Sequence, residues 1–259
     1  LAPLLHVDRT LTQLDLSKAE LGEAGAKAVL GACGAGSVLQ TVLGLAGKTV
    51  ADLSGKELGV PGAILASTEV RLNRSLTALN VSGNDIGDDG KIAIGDALLS
   101  SSTSKLQFLT CTEWSIKADT LSLDLRSKRL NAADAKLLAG VIKFNRSLNS
   151  INLLGNDLNE DGLAHIATAW EQSNTLKSIC GIAAGATTDT CGIAAGATTA
   201  DLPGRGIDAV SARIIALELR FNRALKSANL AGNDIGDEGA IAISAALETN
   251  STLTSLDLK

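Results

Sequence analysis

Apolar and polar positions along the chain follow one short register that keeps returning. Leu76–Gly90 (LTALNVSGNDIGDDG), Leu148–Gly162 (LNSINLLGNDLNEDG) and Leu225–Gly239 (LKSANLAGNDIGDEG) are near copies, and Leu11–Gly25 (LTQLDLSKAELGEAG) is a weaker fourth. Each reads L-x-x-[LIA]-x-[LV]-x-x-[NA]-x-[LI]. Alternation in the first half predicts a short strand with its leucines inward. The Asn (Asn84, Asn156, Asn233; Ala19 in the first copy) turns the chain, and apolar residues at helical spacing follow. Repetition of such a unit implies a solenoid, in which each unit buries its apolar face against its neighbours.

A second class of unit alternates with the first: Asp52–Leu58 (DLSGKEL), Asp124–Leu130 (DLRSKRL) and Asp201–Ile207 (DLPGRGI). Here a base, Lys56, Lys128 or Arg205, stands where the first class has Asn. Leu53 to Val81, Leu125 to Leu153 and Leu202 to Leu230 are each 28 residues, room for one strand, one turn and one helix. The return steps are longer and variable: 37, 44 and 49 residues from Leu16 to Leu53, Val81 to Leu125 and Leu153 to Leu202. Their excess holds an additional strand-like piece at Leu39–Val42, Leu106–Leu109 and Leu176–Ile179, followed by a stretch without helical period. The expected super-repeat therefore has three strands, the third followed by a loop. The last loop contains CGIAAGATT twice, at 180–188 and 191–199, a duplication expected to be tolerated at a surface.

Helices are predicted over Gly90–Ser100, with Ile94, Ala97 and Leu98 inward, and over Gly162–Gln172, with Ile166, Ala169 and Trp170 inward. Asp88, Glu160 and Asp237 fall in first turns, where a carboxylate suits the positive end of the helix. The second class predicts helices over Pro61–Leu72, Ala132–Phe144 and Asp208–Phe221. Asn73, Asn145 and Asn222 follow them and are expected to end them in the left-handed conformation.

The register is that of a leucine-rich repeat, and at these residues the chain resembles the ribonuclease-inhibitor and NOD-like receptor repeat type. The resemblance covers nearly the whole chain. It implies an α/β leucine-rich repeat solenoid, a curved horseshoe with parallel strands on the concave face and helices outside. Two features depart from it: the second class lacks the turn Asn, and the strand–loop units lack helices. One domain over residues 1–259 is expected, and the chain begins and ends inside the repeat pattern, as part of a longer chain or assembly would.

Composition narrows the function. Apolar residues make up 45% and aromatics 2%, so the core is aliphatic. A net charge of −5 argues against nucleic acid and anionic membrane surfaces as partners. No apolar run reaches the roughly 18 residues of a membrane span. With no signal-peptide pattern and no membrane span, an intracellular or organellar location is favoured. Cys33, Cys111, Cys180 and Cys191 show no zinc spacing. They are free thiols, or Cys180 and Cys191 bridge a loop in an oxidising compartment.

In each strand the residue between the last two inward positions faces the concave side. That column reads Asp15, Asp52, Asn80, Asp124, Asn152, Asp201, Asn229 and Asp257. It either meets a basic partner or is the family's ordinary hydrogen-bonded filling. Neighbouring outward positions, such as Thr12, Ser150, Ser227 and Ser255, are small and polar, without the usual aromatic or Arg anchors. Trp114 lies in a strand–loop segment with no counterpart in the other copies and is the best single contact candidate, with packing against the solenoid as the alternative. Trp170 takes the helix position of Leu98 and Leu247 and belongs to the core. The GNDIGDDG-type acids do not have calcium-loop spacing, and helix starts explain them. The sequons at Asn73, Asn80, Asn145 and Asn250 are read as structural. No Ser–His–Asp, Cys–His or paired-carboxylate arrangement stands out, and no cofactor is implied. The sequence therefore points to a non-catalytic scaffold that binds protein partners. The alternatives are a structural subunit docked through its solenoid ends and a regulator of an enzyme such as a small GTPase.

Overall fold

The computed structural model describes residues 10–33, 38–182, 192–194 and 196–259. The chain forms two compact units. One comprises Leu1–Ala118 and Ala133–Asn145, the other Asp119–Ala132 and Arg146–Lys259.

In the first unit the order is α1 (Glu23–Ala32), β1 (Val50–Asp52), α2 (Gly59–Leu72), β2 (Ala78–Asn80), α3 (Gly87–Ser100), β3 (Phe108–Thr110), β4 (Ser115–Ile116) and, after the excursion into the second unit, α4 (Ala132–Phe144). Strands β1, β2 and β3 are parallel, with Val50, Ala78 and Phe108 in one register row and Asp52, Asn80 and Thr110 in another. Leu79, Leu109, Ile94 and Leu98 are buried beneath them. Helices α3 and α4 approach so closely that a Cβ on Gly95 would lie 3.0 Å from the backbone of Lys136 and Leu137. A side chain there would force the helices apart.

The second unit contains β5 (Ser122–Asp124), β6 (Ser150–Asn152), α5 (Glu160–Gln172), β7 (Gly181–Ile182), β8 (Ile193–Ala194), β9 (Thr199–Asp201), α6 (Ala209–Phe221), β10 (Ser227–Asn229), α7 (Gly236–Leu247) and β11 (Ser255–Asp257). Pairs β5–β6 and β7–β8 are parallel, and β9, β10 and β11 form a parallel sheet. Trp170 is core, as expected: it stacks 5.2 Å from Phe221, and its Nε1 donates to the Leu176 carbonyl. The predicted helices are all present: α4 has the predicted bounds, the other N-termini are displaced by one to three residues, and Asp208 lies outside its helix as a cap that accepts from the Ser211 amide.

The turn Asn explains why the second class of unit can dispense with one. Asn84 Nδ2 donates to the carbonyls of Leu53 and Val81, while its Oδ1 accepts from the amides of Lys56 and Leu58. Asn156 repeats the set with Leu125, Leu153, Lys128 and Leu130, and Asn233 with Leu202, Leu230, Arg205 and Ile207. One amide thus satisfies two turns, its own and that of the preceding unit. Only the backbone of Lys56, Lys128 and Arg205 is used, so their side chains stay exposed.

These neighbouring turns hold residues in the left-handed region: Glu57 at φ 53°, Arg129 at 58° and Gly206 at 68°, in equivalent places. Only glycine adopts this conformation freely. Arg129→Gly should therefore raise stability by about 0.5–1 kcal/mol, despite glycine's greater freedom when unfolded. Chemical denaturation of variant and parent measures it.

Three expectations are corrected. The helix-ending asparagines are not left-handed: Asn73 has φ −80° and ψ 101°, Asn222 has φ −71° and ψ 119°. They stop the helix by side chain, Asn73 Oδ1 accepting from the Ser75 amide and Asn222 Oδ1 from the amides of Ala224 and Leu225. Pairing is not parallel throughout, because β4 folds back on β3, pairing Ile116 with Leu109 and Ser115 with Thr110. The strand-like pieces also sit one or two residues later than predicted, at Thr41 and Leu43, at β3, and at Ser178 and Cys180. Of the duplicated segment, residues 183–191 and 195 lie outside the described residues, Cys191 among them, while its described parts supply the β7–β8 pair.

Candidate interaction surface

The acid–amide column lies where each strand ends, because the next backbone amide but one turns back to it. Asp15, Asp52, Asn80, Asp124, Asn152, Asn229 and Asp257 each accept, through Oδ1, from the amide two residues on, at 2.9–3.2 Å. Asp201 is different because the residue two on is Pro203, which has no amide to offer. Its Oδ1 accepts from Asn229 Nδ2 at 2.8 Å instead. A short polar side chain here ends the strand and starts the turn. That demand accounts for the Asp/Asn restriction without any partner.

Charge and exposure differ along the column. Asp15, Asp52, Asp124, Asp201 and Asp257 are exposed; Asn80 and Asn229 are half-buried. The hydroxyl and amide of Ser17 hold the Asp15 carboxyl below the usual range, and those of Ser54 do the same for Asp52. Asp124 is bridged by the Arg126 guanidinium at 3.1 Å, so its charge is partly offset.

Two site candidates are not accessible. Asn152 is fully buried, and Ser150 beside it is 3% exposed. The strand–loop segment bridges Ser178 and Cys180 to these residues, and Gly181 passes so close that a Cβ on it would sit 2.4 Å from Ser150 Cβ. Trp114, expected on a surface, is only 4% exposed. The β3–β4 hairpin carries it inward, with the Cys111 amide donating to its carbonyl at 2.9 Å. Beside it the Cys111 thiol is pushed up to about 12 by burial.

Buried glutamates invisible in the repeat register anchor the irregular segments. Glu69 Oε2 accepts from Thr41 Oγ1 and from the amides of Val42 and Leu43 at 2.8–3.1 Å, and its Oε1 accepts from Asn73 Nδ2. Glu218 repeats this with Ser178 Oγ, the amides of Ile179 and Cys180, and Asn222 Nδ2. The signal was Glu four residues before the helix-ending Asn, on an otherwise apolar helix face. In α4 that position is Val141, and there β4 pairs with the strand end instead. That hairpin has its own tie: Lys91, only 8% exposed, lies 2.9 Å from Glu113 and 2.7 Å from Asp134. Burial favours neutral forms of both Lys91 and Glu113, yet the ion pairing outweighs it: Lys91 stays raised and Glu113 lowered from their ordinary values.

The sequence comparisons agree with this repeat geometry. The family described as Leucine Rich repeat matches residues 7–30, 72–95 and 221–244. Ribonuclease inhibitor of Sus scrofa is 27% identical over 176 residues, covering 66% of this chain and 30% of that protein. The chain is built of leucine-rich repeats, and its likeness is to the ribonuclease-inhibitor type. The leucine-rich repeat chain is also 24% identical to RAN GTPase-activating protein 2 of Arabidopsis thaliana over 127 residues, 49% of this chain and 21% of that one. It thus spans less than a third of the length of the curated relatives it matches. Among solved structures, Leiomodin-1 Actin-Binding Site 2 aligns over 74% of this chain and 76% of its own, at 17% identity and a TM-score of 0.28. The leucine-rich repeat-containing protein LegL7 from Legionella pneumophila aligns over 96% and 83%, at 16% identity and a TM-score of 0.25. No helix among the described residues is long and apolar enough to cross a membrane, and no group of three His, Cys, Asp or Glu among them is placed to hold a metal ion.

Proposed function

We propose that this chain is a non-catalytic scaffold that binds protein partners on the strand faces of its repeats, and that the partner surface is basic. The observation that carries the reading is the alignment of Asp201, Asn229 and Asp257 in one register row, with both carboxylates exposed. Neighbouring strands lie about 4.8 Å apart, so the two acids, on either side of β10, stand about 10 Å from each other. A second reading, regulation of an enzyme, takes its support from the names of both curated relatives, an inhibitor of a ribonuclease and an activator of a GTPase. It would use the same faces.

Two exposed carboxylates in one row imply a kinetic signature on binding. Asp201→Asn with Asp257→Asn keeps shape and the Oδ1 acceptor of each side chain but removes both charges. Against a partner recovered by affinity purification, the variant should associate about tenfold more slowly at low salt, and its affinity should fall less as salt rises. Asp124 is the poorer test, because Arg126 already offsets it. Unchanged association at low salt would mean that the column only ends strands.

A further inference from the structure

We propose that the face of β1–β2–β3 takes an amphipathic helix with an apolar stripe and a basic flank. This rests on the strand-face reading above and names the occupant of one of its patches. The repeats serve as their own control. In β9, β10 and β11 the first outward position is Thr199, Ser227 and Ser255. The same backbone therefore folds with small polar residues there. In β1, β2 and β3 that position is Val50, Ala78 and Phe108, and Val50 is 62% exposed. The repeat itself does not call for apolar side chains here, and leaving exposed Val50 and the open parts of half-buried Ala78 and Phe108 in water is unfavourable. Phe108 also supplies the aromatic anchor that the small, polar outward positions elsewhere lack.

Shape and charge select the occupant. Val50, Ala78 and Phe108 form a large–small–large row, with a notch over Ala78. From β1 to β3 is about 9.6 Å, two strand spacings. Residues i and i+7 of a helix lie about 10.5 Å apart, so a helix across the strands sets side chains near Val50 and Phe108, with one between them in the notch. Two residues further along each strand, about 7 Å away, run Asp52, Asn80 and Thr110. Asp52 is exposed and, held low by Ser54, remains ionised. A basic flank on the helix would meet this carboxylate while its apolar stripe covers the first row.

The test is titration of the isotope-labelled chain with a leucine–lysine peptide of about 14 residues bearing its leucines on one helical face, and with its leucine–glutamate counterpart. The lysine peptide should shift the amide signals of Val50, Asp52, Ala78 and Phe108 and bind at least about tenfold more tightly than the glutamate peptide. Phe108→Ser, which restores the residue type of the other sheet, and Asp52→Asn should each weaken it about fivefold or more. Circular dichroism should show both variants folded. Equal binding of both peptides, or none at millimolar concentration, overturns the proposal. Shifts confined to the 199–257 strands would overturn it while leaving the strand-face reading intact. Shifts confined to the helices would overturn both.

Discussion

Asn156→Ala should destabilise the second unit by about 3–5 kcal/mol, far more than any change at the neighbouring base. Asn156 is 4% exposed and makes four bonds of 2.8–3.0 Å, with the carbonyls of Leu125 and Leu153 and the amides of Lys128 and Leu130. Alanine leaves these groups without a side-chain partner in a place that water does not reach, and the desolvation cost then applies in full. Lys128→Ala, which removes only an exposed side chain, should stay within about 0.5 kcal/mol. Denaturant unfolding of the two variants gives both numbers. A loss below about 1 kcal/mol for Asn156→Ala would mean that the turns hold themselves.

Glu218→Ala should cost a similar amount, about 3–5 kcal/mol, because four donors converge on this fully buried carboxylate. Its pH dependence has an unusual sign. Burial raises the carboxyl above the ordinary glutamate range, against the pull of its hydrogen bonds. The folded state thus holds the proton to a higher pH than the unfolded chain does. Stability from this group is fully present below the unfolded value, about 4.3, and is lost as pH rises through the folded one. Glu218→Gln cannot titrate, so its stability relative to the parent should improve with rising pH across that window. A parent-to-variant difference that is flat with pH, or that moves the other way, would show the carboxylate to be ionised without cost.

Much of this fold was legible because the repeat's strand, turn and helix each leave a periodic signal. Leucine spacing located β2, β6 and β10, and the 28-residue step paired each with its neighbour in register. The irregular units were less legible, because they depend on partners distant in sequence. Nothing local to Thr41 says that Glu69 will accept its hydroxyl proton, nor that the hairpin will take Trp114 inside. The column was readable as a row of Asp and Asn but not as accessible or covered. Asn152 is buried by a segment 28 residues away, and only Gly181, which must lack a side chain there, hinted at it. Phe108 is not distinguished by its own repeat, because its row exists only once β1, β2 and β3 lie side by side.

Site-specific photo-crosslinking tests the strand-face claim most directly. A photoreactive residue is placed at Val50 or Ser227 on the strand faces, or at Thr168 or Ser244 on exposed helix positions. One discrete protein should be captured from Val50 or Ser227, be displaced by excess unlabelled chain, and not be captured from Thr168 or Ser244. Capture of that protein from the two helix positions alone would contradict the claim.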